Sequence, residues 1–313
     1  MPSLRTFFQR SQPGRVSPSG TVITDLQHSL NASGSGQLGA DGLFGKQTEL
    51  ALRAYQTNRG LTPTGTVTDE TWKSLIGTDE PSIFQRCLQV TASFEGTQFT
   101  EVVGNFDGAG ITWGIIGFTL SNGELGAVLT EIRSTHPAVF SAAFGELEAR
   151  IVEVIHSSHS EQIHFANSIS LGSSKMRILD VWAKAFEKLG SDPSAQEIQL
   201  QRTEKFFQIA ERDRQLFDVQ NELGLALCFD IAVQNGGIDS TERARIRAKI
   251  NQNHPATQQD LRIIIANVVA ENSRPRFIED VRRRKLTIAT AQGTVHGSRF
   301  AVKTWGLDDL PAS

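Results

Sequence analysis

Residues Thr91–Phe118 read TASFEGTQFTEVVGNFDGAGITWGIIGF, and how this stretch is understood decides how the chain around it is understood. Three acids, Glu95, Glu101 and Asp107, stand among glycines at 96, 104, 108, 110, 114 and 117 and small or apolar residues. A carboxylate in such surroundings is costly unless paired, hydrogen-bonded or protonated, which makes the segment a place to look for chemistry. Cys87, Leu88, Val90, Thr91 and Phe94 recur at three- and four-residue spacing and predict a helix from Phe84 that Glu95 closes. Asp107 follows within Asn105-Phe106-Asp107-Gly108-Ala109-Gly110, whose Asp-Gly step between β-prone residues predicts a hairpin turn. The two carboxyls are thus expected on different elements. Glycoside hydrolysis needs two such groups, a protonated acid for the leaving oxygen and an ionised one for water or for the anomeric carbon. Spacing alone serves a plain helix cap and a plain turn residue equally well.

The run Asp107-Gly108-Ala109-Gly110-Ile111-Thr112-Trp113-Gly114-Ile115-Ile116-Gly117-Phe118 resembles the D-G-x-G-[YI]-T-x-G-I-I-G-F segment of glycoside hydrolase family 46, the chitosanases of lysozyme-like fold. Ser93-Phe94-Glu95-Gly96 sits where that family has its catalytic glutamate. The resemblance implies Glu95 as general acid, Asp107 as general base and Thr112 as a residue that helps hold the attacking water. The spacer between the two acids is shorter than the family's, so Glu101 stands as a rival second carboxylate.

Outward toward the N-terminus, Gly77–Ser82 (GTDEPS) is polar, contains Pro81 and lacks apolar periodicity, and residues 77–83 are expected to be a linker. Before it, Leu26 and Leu30, then Leu50, Leu52 and Tyr55, then Trp72 and Leu75 fall at helical spacing with glycines between, predicting three short helices over 21–76. So small a bundle has little room for a catalytic cleft of its own. Its pattern, Leu26-Gln27, Asp41-Gly42-x-Phe44-Gly45-x-x-Thr48, Tyr55-Gln56, Gly60-Leu61 and Thr71-Trp72, is similar to the peptidoglycan-binding module written LQxxL, DGxFGxxT, FQxxxGL, TWxxL, with Tyr55 in place of Phe. That likeness implies a cell-wall anchor, with Asp41, Phe44, Tyr55 and Trp72 as its substrate-binding residues, although most of the pattern suits core and turn equally well. Residues 1–20, rich in Pro, Ser, Gly and Arg, are expected to be a flexible leader without the apolar core of a secretory signal. Synthesis in the cytoplasm and delivery to the wall by another route follow as the expectation, leaving open an endolysin or a secreted effector and any secretion or immunity partner.

Composition narrows the remaining classes. A balance of 31 basic against 34 acidic residues carries no electrostatic footprint for nucleic acid, and no stretch approaches the apolar length of a membrane span. Cys87 and Cys228 lie in apolar surroundings and read as buried thiols. The spacings of the seven histidines match no metal motif; His156, His159 and His164 are expected to face solvent, and no metal or cofactor is expected.

Beyond Phe118 the periodicity turns helical: 123–132, 137–155, 176–189, 195–217, 222–233, 241–251, 258–271 and 274–291. Glu211-Arg212-Asp213-Arg214-x-x-Phe217-Asp218 also matches family 46, and some of these side chains are expected to line or brace the cleft. Glu222–Val233 is apolar on nearly all sides and contains Asp230, whose buried carboxylate needs partners. In the family, an aspartate on the matching helix joins arginines in a network that holds the catalytic glutamate. The partners implied here are Arg282 or Arg283, and Arg299, with His296 a further candidate for the cleft.

Taken together, the sequence predicts a mainly α-helical (α+β) protein: a small three-helix wall-binding bundle over 21–76 and a lysozyme-like helical domain over 84–313 with a short β-hairpin at the cleft. The expected activity is hydrolysis of β-1,4 bonds in peptidoglycan glycan strands, with Glu95, kept protonated by apolar surroundings, as acid and inversion at C1. The rivals are a chitosanase acting on glucosamine polymers and a non-catalytic wall-binding protein; a lytic transglycosylase, which needs only the acid, also stays open.

Overall fold

The structure, a computed structural model, describes residues 5–95 and 99–312, the side chain of Glu95 excepted. It is mainly α-helical with small antiparallel sheets, and it divides into two compact units, Met1–Phe94 with Phe206–Ser313, and Glu95–Lys205. No helix among the described residues is long and apolar enough to cross a membrane.

The first unit opens with β1 (Thr6–Phe8), α1 (Thr21–Ala32), α2 (Lys46–Asn58), β2 (Val67–Thr68), α3 (Asp69–Ile76) and α4 (Ile83–Glu95). The three expected helices α1 to α3 turn Leu26, Leu30, Leu52, Tyr55 and Trp72 into one core. Two expectations give way. From residue 5 on the leader is not loose: Phe7 and Phe8 are buried in that core, and Thr6 and Phe8 pair with Thr68 and Val67. Two adjacent phenylalanines lose several kcal/mol of transfer energy if left in water, and β2 offers them an edge. Nor does 77–83 separate independent parts. Arg5 pairs with Glu80 at 2.9 Å and with buried Glu222, while buried Arg86 donates to Glu222 at 2.7 Å and to the Gly306 carbonyl at 2.6 Å. The small bundle and residues 206–313 therefore share one unit, sewn together by two arginines on one buried glutamate.

The second unit contains β3 (Val102–Val103), β4 (Thr112–Trp113) and β5 (Phe118–Thr119), then α5 (Glu124–Thr135), α6 (Pro137–Phe144), α7 (Glu148–Ile155), α8 (His159–Ile169), β6 (Ser170–Leu171), β7 (Arg177–Ile178), α9 (Asp180–Gly190) and the first half of α10 (Pro193–Leu216). The hairpin expected around Asp107 is a three-stranded sheet, β3-β4-β5, in register Val103↔Thr112↔Thr119. The single helix expected over 137–155 breaks at Gly145, whose φ of 52° ends α6. The helix expected from Met176 starts later, because Arg177 and Ile178 pair with Leu171 and Ser170. An aromatic core holds the unit, with Trp113 and Phe186 ring centres 5.6 Å apart and Phe144 and Phe186 5.3 Å apart. Buried Gln199 on α10 ties in the sheet, donating to the Phe99 carbonyl at 3.2 Å and accepting from the Ile115 N–H at 3.0 Å.

Back in the first unit come α11 (Glu222–Asn235), α12 (Ser240–Asn253), α13 (Gln258–Glu271), α14 (Ile278–Ala289) and the hairpin of β8 (Gln292–Val295) with β9 (Ser298–Ala301). Helix α11 is buried on nearly all sides, as its composition predicts. The final hairpin was not expected; His296 and Gly297 turn it with φ of 48° and 80°, the positive pair that a tight two-residue turn requires. Cys87 and Cys228 are both buried and free.

Candidate active site and wall-binding groove

Helix α4 ends on Glu95, whose side chain, with residues 96–98, lies outside the described residues. The residue before it is firmly held: Phe94 is buried, its ring 4.8 Å from that of Phe300 in an edge-on contact and 5.5 Å from the Arg284 guanidinium. Arg284 in turn grips Asp230, donating from Nη2 to Oδ1 at 2.7 Å and from Nε to both oxygens at 3.0 and 3.1 Å. Lys285 adds its ammonium at 2.5 Å from Oδ2 and 3.0 Å from the Asp230 carbonyl. Burial pushes the Asp230 carboxyl up, but the two cations outweigh it and bring it down to about 2.

The network expected around Asp230 therefore exists with other members. Arg282 pairs with Glu279 at 2.6 Å, while Arg283 and Arg299 are exposed. The reason is helical phase. Val281, Arg284, Lys285 and Ile288 are the buried face of α14, at i, i+3, i+4 and i+7, and positions 282 and 283 lie off it. Counting from Val281 and Ile288 in the sequence would have found the right pair. His296, on the exposed turn of the last hairpin, lies 3.1 Å from Asp280. In the Glu211–Asp218 run the bracing member is Asp213: it is buried, accepts the Ile238 N–H at 2.8 Å and holds the turn after α11, with Arg212 on its other oxygen at 3.0 Å.

In the second unit, Glu101, Asp107 and Thr112 lie on or next to one small sheet. Glu101 precedes β3, Asp107 sits in the β3–β4 loop and Thr112 opens β4. Buried Asn105 builds the loop. Its amide donates to Asn167 Oδ1 at 2.9 Å, its carbonyl oxygen accepts the Gly110 N–H at 2.9 Å, and its own N–H reaches Ser170 Oγ at 2.9 Å. Gly108 and Gly110 carry positive φ, and a side chain at Gly104 would collide with the Lys175 carbonyl at 2.3 Å. Asp107 is exposed and accepts the Ala109 N–H at 2.9 Å through one oxygen, closing an Asx turn. Thr112 is half-buried in the middle strand. Glu101 is exposed by area, yet desolvation by its neighbours raises its carboxyl above the ordinary range. The three histidines 156, 159 and 164 are exposed and dispersed along the end of α7 and α8.

In the small bundle, the aromatic residues expected to meet sugar are core instead. Phe44, Tyr55 and Trp72 are 0%, 1% and 4% exposed, with Tyr55 Oη 2.8 Å from Ser74 Oγ and Trp72 donating to Thr78 Oγ1 at 2.8 Å. Each is too large to leave outside so small a core. Asp41 is the exposed member of the four, accepting from Gln27 Nε2 at 2.8 Å. It lines a groove of about 500 Å³ with Leu38, Leu43, Lys46 and Leu50, and Leu43 and Leu50 are 45% and 49% exposed. That groove is the bundle's candidate binding surface.

One architectural device recurs in the bundle. Buried Gln27 accepts from Gly42 N–H at 2.9 Å and donates to Thr48 Oγ1 at 3.1 Å; buried Gln56 accepts from Gly65 N–H at 2.9 Å and donates to Thr71 Oγ1 at 3.1 Å. Each glutamine on one helix fixes a positive-φ glycine and the threonine in the first turns of the next helix.

Residues 19–75 match the family model described as a peptidoglycan binding domain. No protein of curated function matches the chain in sequence. Among solved structures, a glycoside hydrolase family 46 chitosanase of Gynuella sunshinyii in complex with chitotetraose is similar at 17% identity, over 71% of this chain and 98% of that one, with a TM-score of 0.51. The native chitosanase of Bacillus subtilis is similar at 16% identity over 71% and 98%, and a point mutant of it complexed with 6 GlcN at 16% over 71% and 99%, both with a TM-score of 0.51. At such identities the likeness establishes the fold, which is that of these chitosanases, in a chain whose residues 19–75 also match the peptidoglycan binding domain model.

Proposed function

We propose that this protein is a cell-wall glycoside hydrolase that cuts the β-1,4-linked glycan strands of peptidoglycan. One observation carries the reading: a peptidoglycan binding domain match over 19–75 in a chain whose fold is that of glycan-cleaving enzymes. Glu95 donates a proton to the glycosidic oxygen as its bond to C1 breaks. Asp107 takes a proton from the water whose oxygen bonds to C1 from the opposite face, and the Thr112 hydroxyl helps orient that water. This is single displacement with inversion, which needs the carboxyls roughly 6.5–9.5 Å apart. Asp107 suits the base: it is exposed, and one of its oxygens already points into an Asx turn, leaving the other for water. Asp230, Arg284 and Lys285 act indirectly, fixing the helix end that carries Glu95 through Phe94.

The test is mass spectrometry of soluble products from purified peptidoglycan and, separately, from chitosan, with wild type and Glu95→Gln. Reducing muropeptides from the wild type alone are the expected result. Anhydro sugars would convert the reading to a transglycosylase, and products from neither substrate would remove the enzyme. A second reading, chitosanase, is favoured by the solved relatives bound to chitotetraose and 6 GlcN. It requires glucosamine oligomers from chitosan and nothing from peptidoglycan.

A further inference from the structure

Phe106 is not taken into the core of the second unit. It is 51% exposed, although a phenylalanine ordinarily gains by burial and the unit's aromatic core takes in Phe140, Phe144, Phe165 and Phe186. It is not on a loose loop. Its own N–H donates to the Gly104 carbonyl at 2.9 Å, and the residue before it, Asn105, is 5% exposed and anchored by three hydrogen bonds to Asn167, Ser170 and Gly110. The residue after it is Asp107. Gly104 donates to the Met176 carbonyl at 3.0 Å, which brings a second exposed apolar side chain, 48% exposed, onto the neighbouring turn. An apolar ring is thus displayed on a braced loop, one residue from the candidate base.

We propose that Phe106 is a substrate-binding residue: its ring covers the apolar C–H face of the amino-sugar unit beside the bond that is cut and sets that unit's position against Asp107. This rests on the hydrolase reading above. A pyranose ring in the chair form presents axial C–H groups as a flat apolar patch, hydroxyls lying around its rim, and an aromatic ring held in water is the complementary surface. A rigid aromatic with two side-chain torsions also orders at small entropic cost, the property that favours aromatics as contact residues on exposed loops. The occupant is an amino sugar of the glycan proposed above as substrate, because Phe106 is followed directly by Asp107, the carboxylate that the proposed hydrolysis uses on the water, so a ring seated on Phe106 is the unit beside the bond cut.

The experiment is steady-state kinetics on soluble glycan strands prepared from peptidoglycan and on glucosamine oligomers, using whichever the wild type cleaves. Phe106→Ala raises KM roughly tenfold, the order that losing one aromatic contact with its buried area produces, while kcat stays within about twofold. Phe106→Trp restores KM. Val181→Ala, which removes a side chain 56% exposed elsewhere in the unit, changes neither. Thermal melting of Phe106→Ala stays close to that of the wild type, since half of Phe106 already lies in water in the folded protein. If Phe106→Ala leaves KM unchanged while Asp107→Asn abolishes turnover, the stacking role falls and the hydrolase stands. If Phe106→Ala lowers kcat at constant KM, the ring acts only by shaping the Asp107 turn and the proposal is overturned. If the wild type cleaves neither substrate, the hydrolase reading and this role fall together.

Discussion

The small bundle and the β3–β4 loop are both written in strong motifs, and the structure uses them in opposite ways. In the bundle the motif turns inward: Phe44, Tyr55 and Trp72 are core, Gln27 and Gln56 are buried clasps, and Gly42 and Gly65 are the turns they close. In the loop the motif turns outward: Asn105 is buried so that Phe106 and Asp107 can be exposed, and the glycines at 108 and 110 allow the chain to bend around them. A strict sequence pattern marks a constraint without saying which kind. Burial separates a pattern kept for folding from one kept for chemistry, and the comparison predicts different phenotypes for substitutions in the two places.

The sharpest separation is at Asp107. Asp107→Asn preserves the size of the side chain and an acceptor for the Ala109 N–H, so melting should be unchanged, while kcat falls by about three orders of magnitude, within the range ascribed to a general base. A variant that loses stability as well as activity would place this loop with the bundle, as a folding motif.

Asp230 should behave as the bundle does, through stability. Asp230→Asn leaves Arg284 and Lys285 buried without their carboxylate, and the expected loss is about 3–5 kcal/mol, read from denaturant unfolding. The ionised pair also sets a pH dependence. The native carboxyl, held down to about 2, binds its proton less readily than the unfolded one, so its contribution is complete above about pH 4 and disappears as the pH falls toward 2. For a shift of that size the loss is roughly 2 kcal/mol, and Asp230→Asn should flatten this part of the stability–pH curve.

The mainly helical architecture, the three-helix bundle, the apolar α11 and the placing of Asp230 on it follow from periodicity and composition. What escaped has physical causes. Arg284 and Lys285 were hidden in a run of four cations, where charge says nothing about which member faces inward and only the phase set by Val281 and Ile288 does. The clasping glutamines look like solvated polar residues until their spacing to the following glycine and threonine is noticed. Phe7 and Phe8 were masked by the Pro, Ser and Gly around them, and their strand partner, Val67–Thr68, lies some sixty residues away. The joint between Arg5, Arg86 and Glu222 likewise links residues distant in sequence, beyond the reach of any local pattern.

On the bundle's surface the comparison can be turned around. Leu43 and Leu50 are the exposed apolar residues of the Asp41 groove, so they should matter for binding and not for folding. Leu43→Ser and Leu50→Ser are each expected to weaken pull-down of the full chain by insoluble peptidoglycan by about three- to tenfold, as partial loss of one apolar contact would, with melting unchanged. Unchanged binding in both variants would move the wall-binding surface elsewhere on the bundle.

The smallest effect is expected at Glu101, and it is informative because Glu101, directly before β3, is the rival to Asp107 for the second carboxylate. A general base must be ionised when water approaches, and desolvation works against ionisation of Glu101 by raising its carboxyl. Its backbone is engaged in the sheet, accepting the Gly114 N–H at 3.0 Å, so the position serves the strand whatever the side chain does. Glu101→Gln removes the charge and leaves that backbone bond intact, and the turnover rate should stay within about twofold of wild type. A loss comparable to that of Asp107→Asn would reverse the assignment: Glu101 would be the second carboxylate, and the exposed Asp107 would join the buried motif residues of the bundle as a turn former alone.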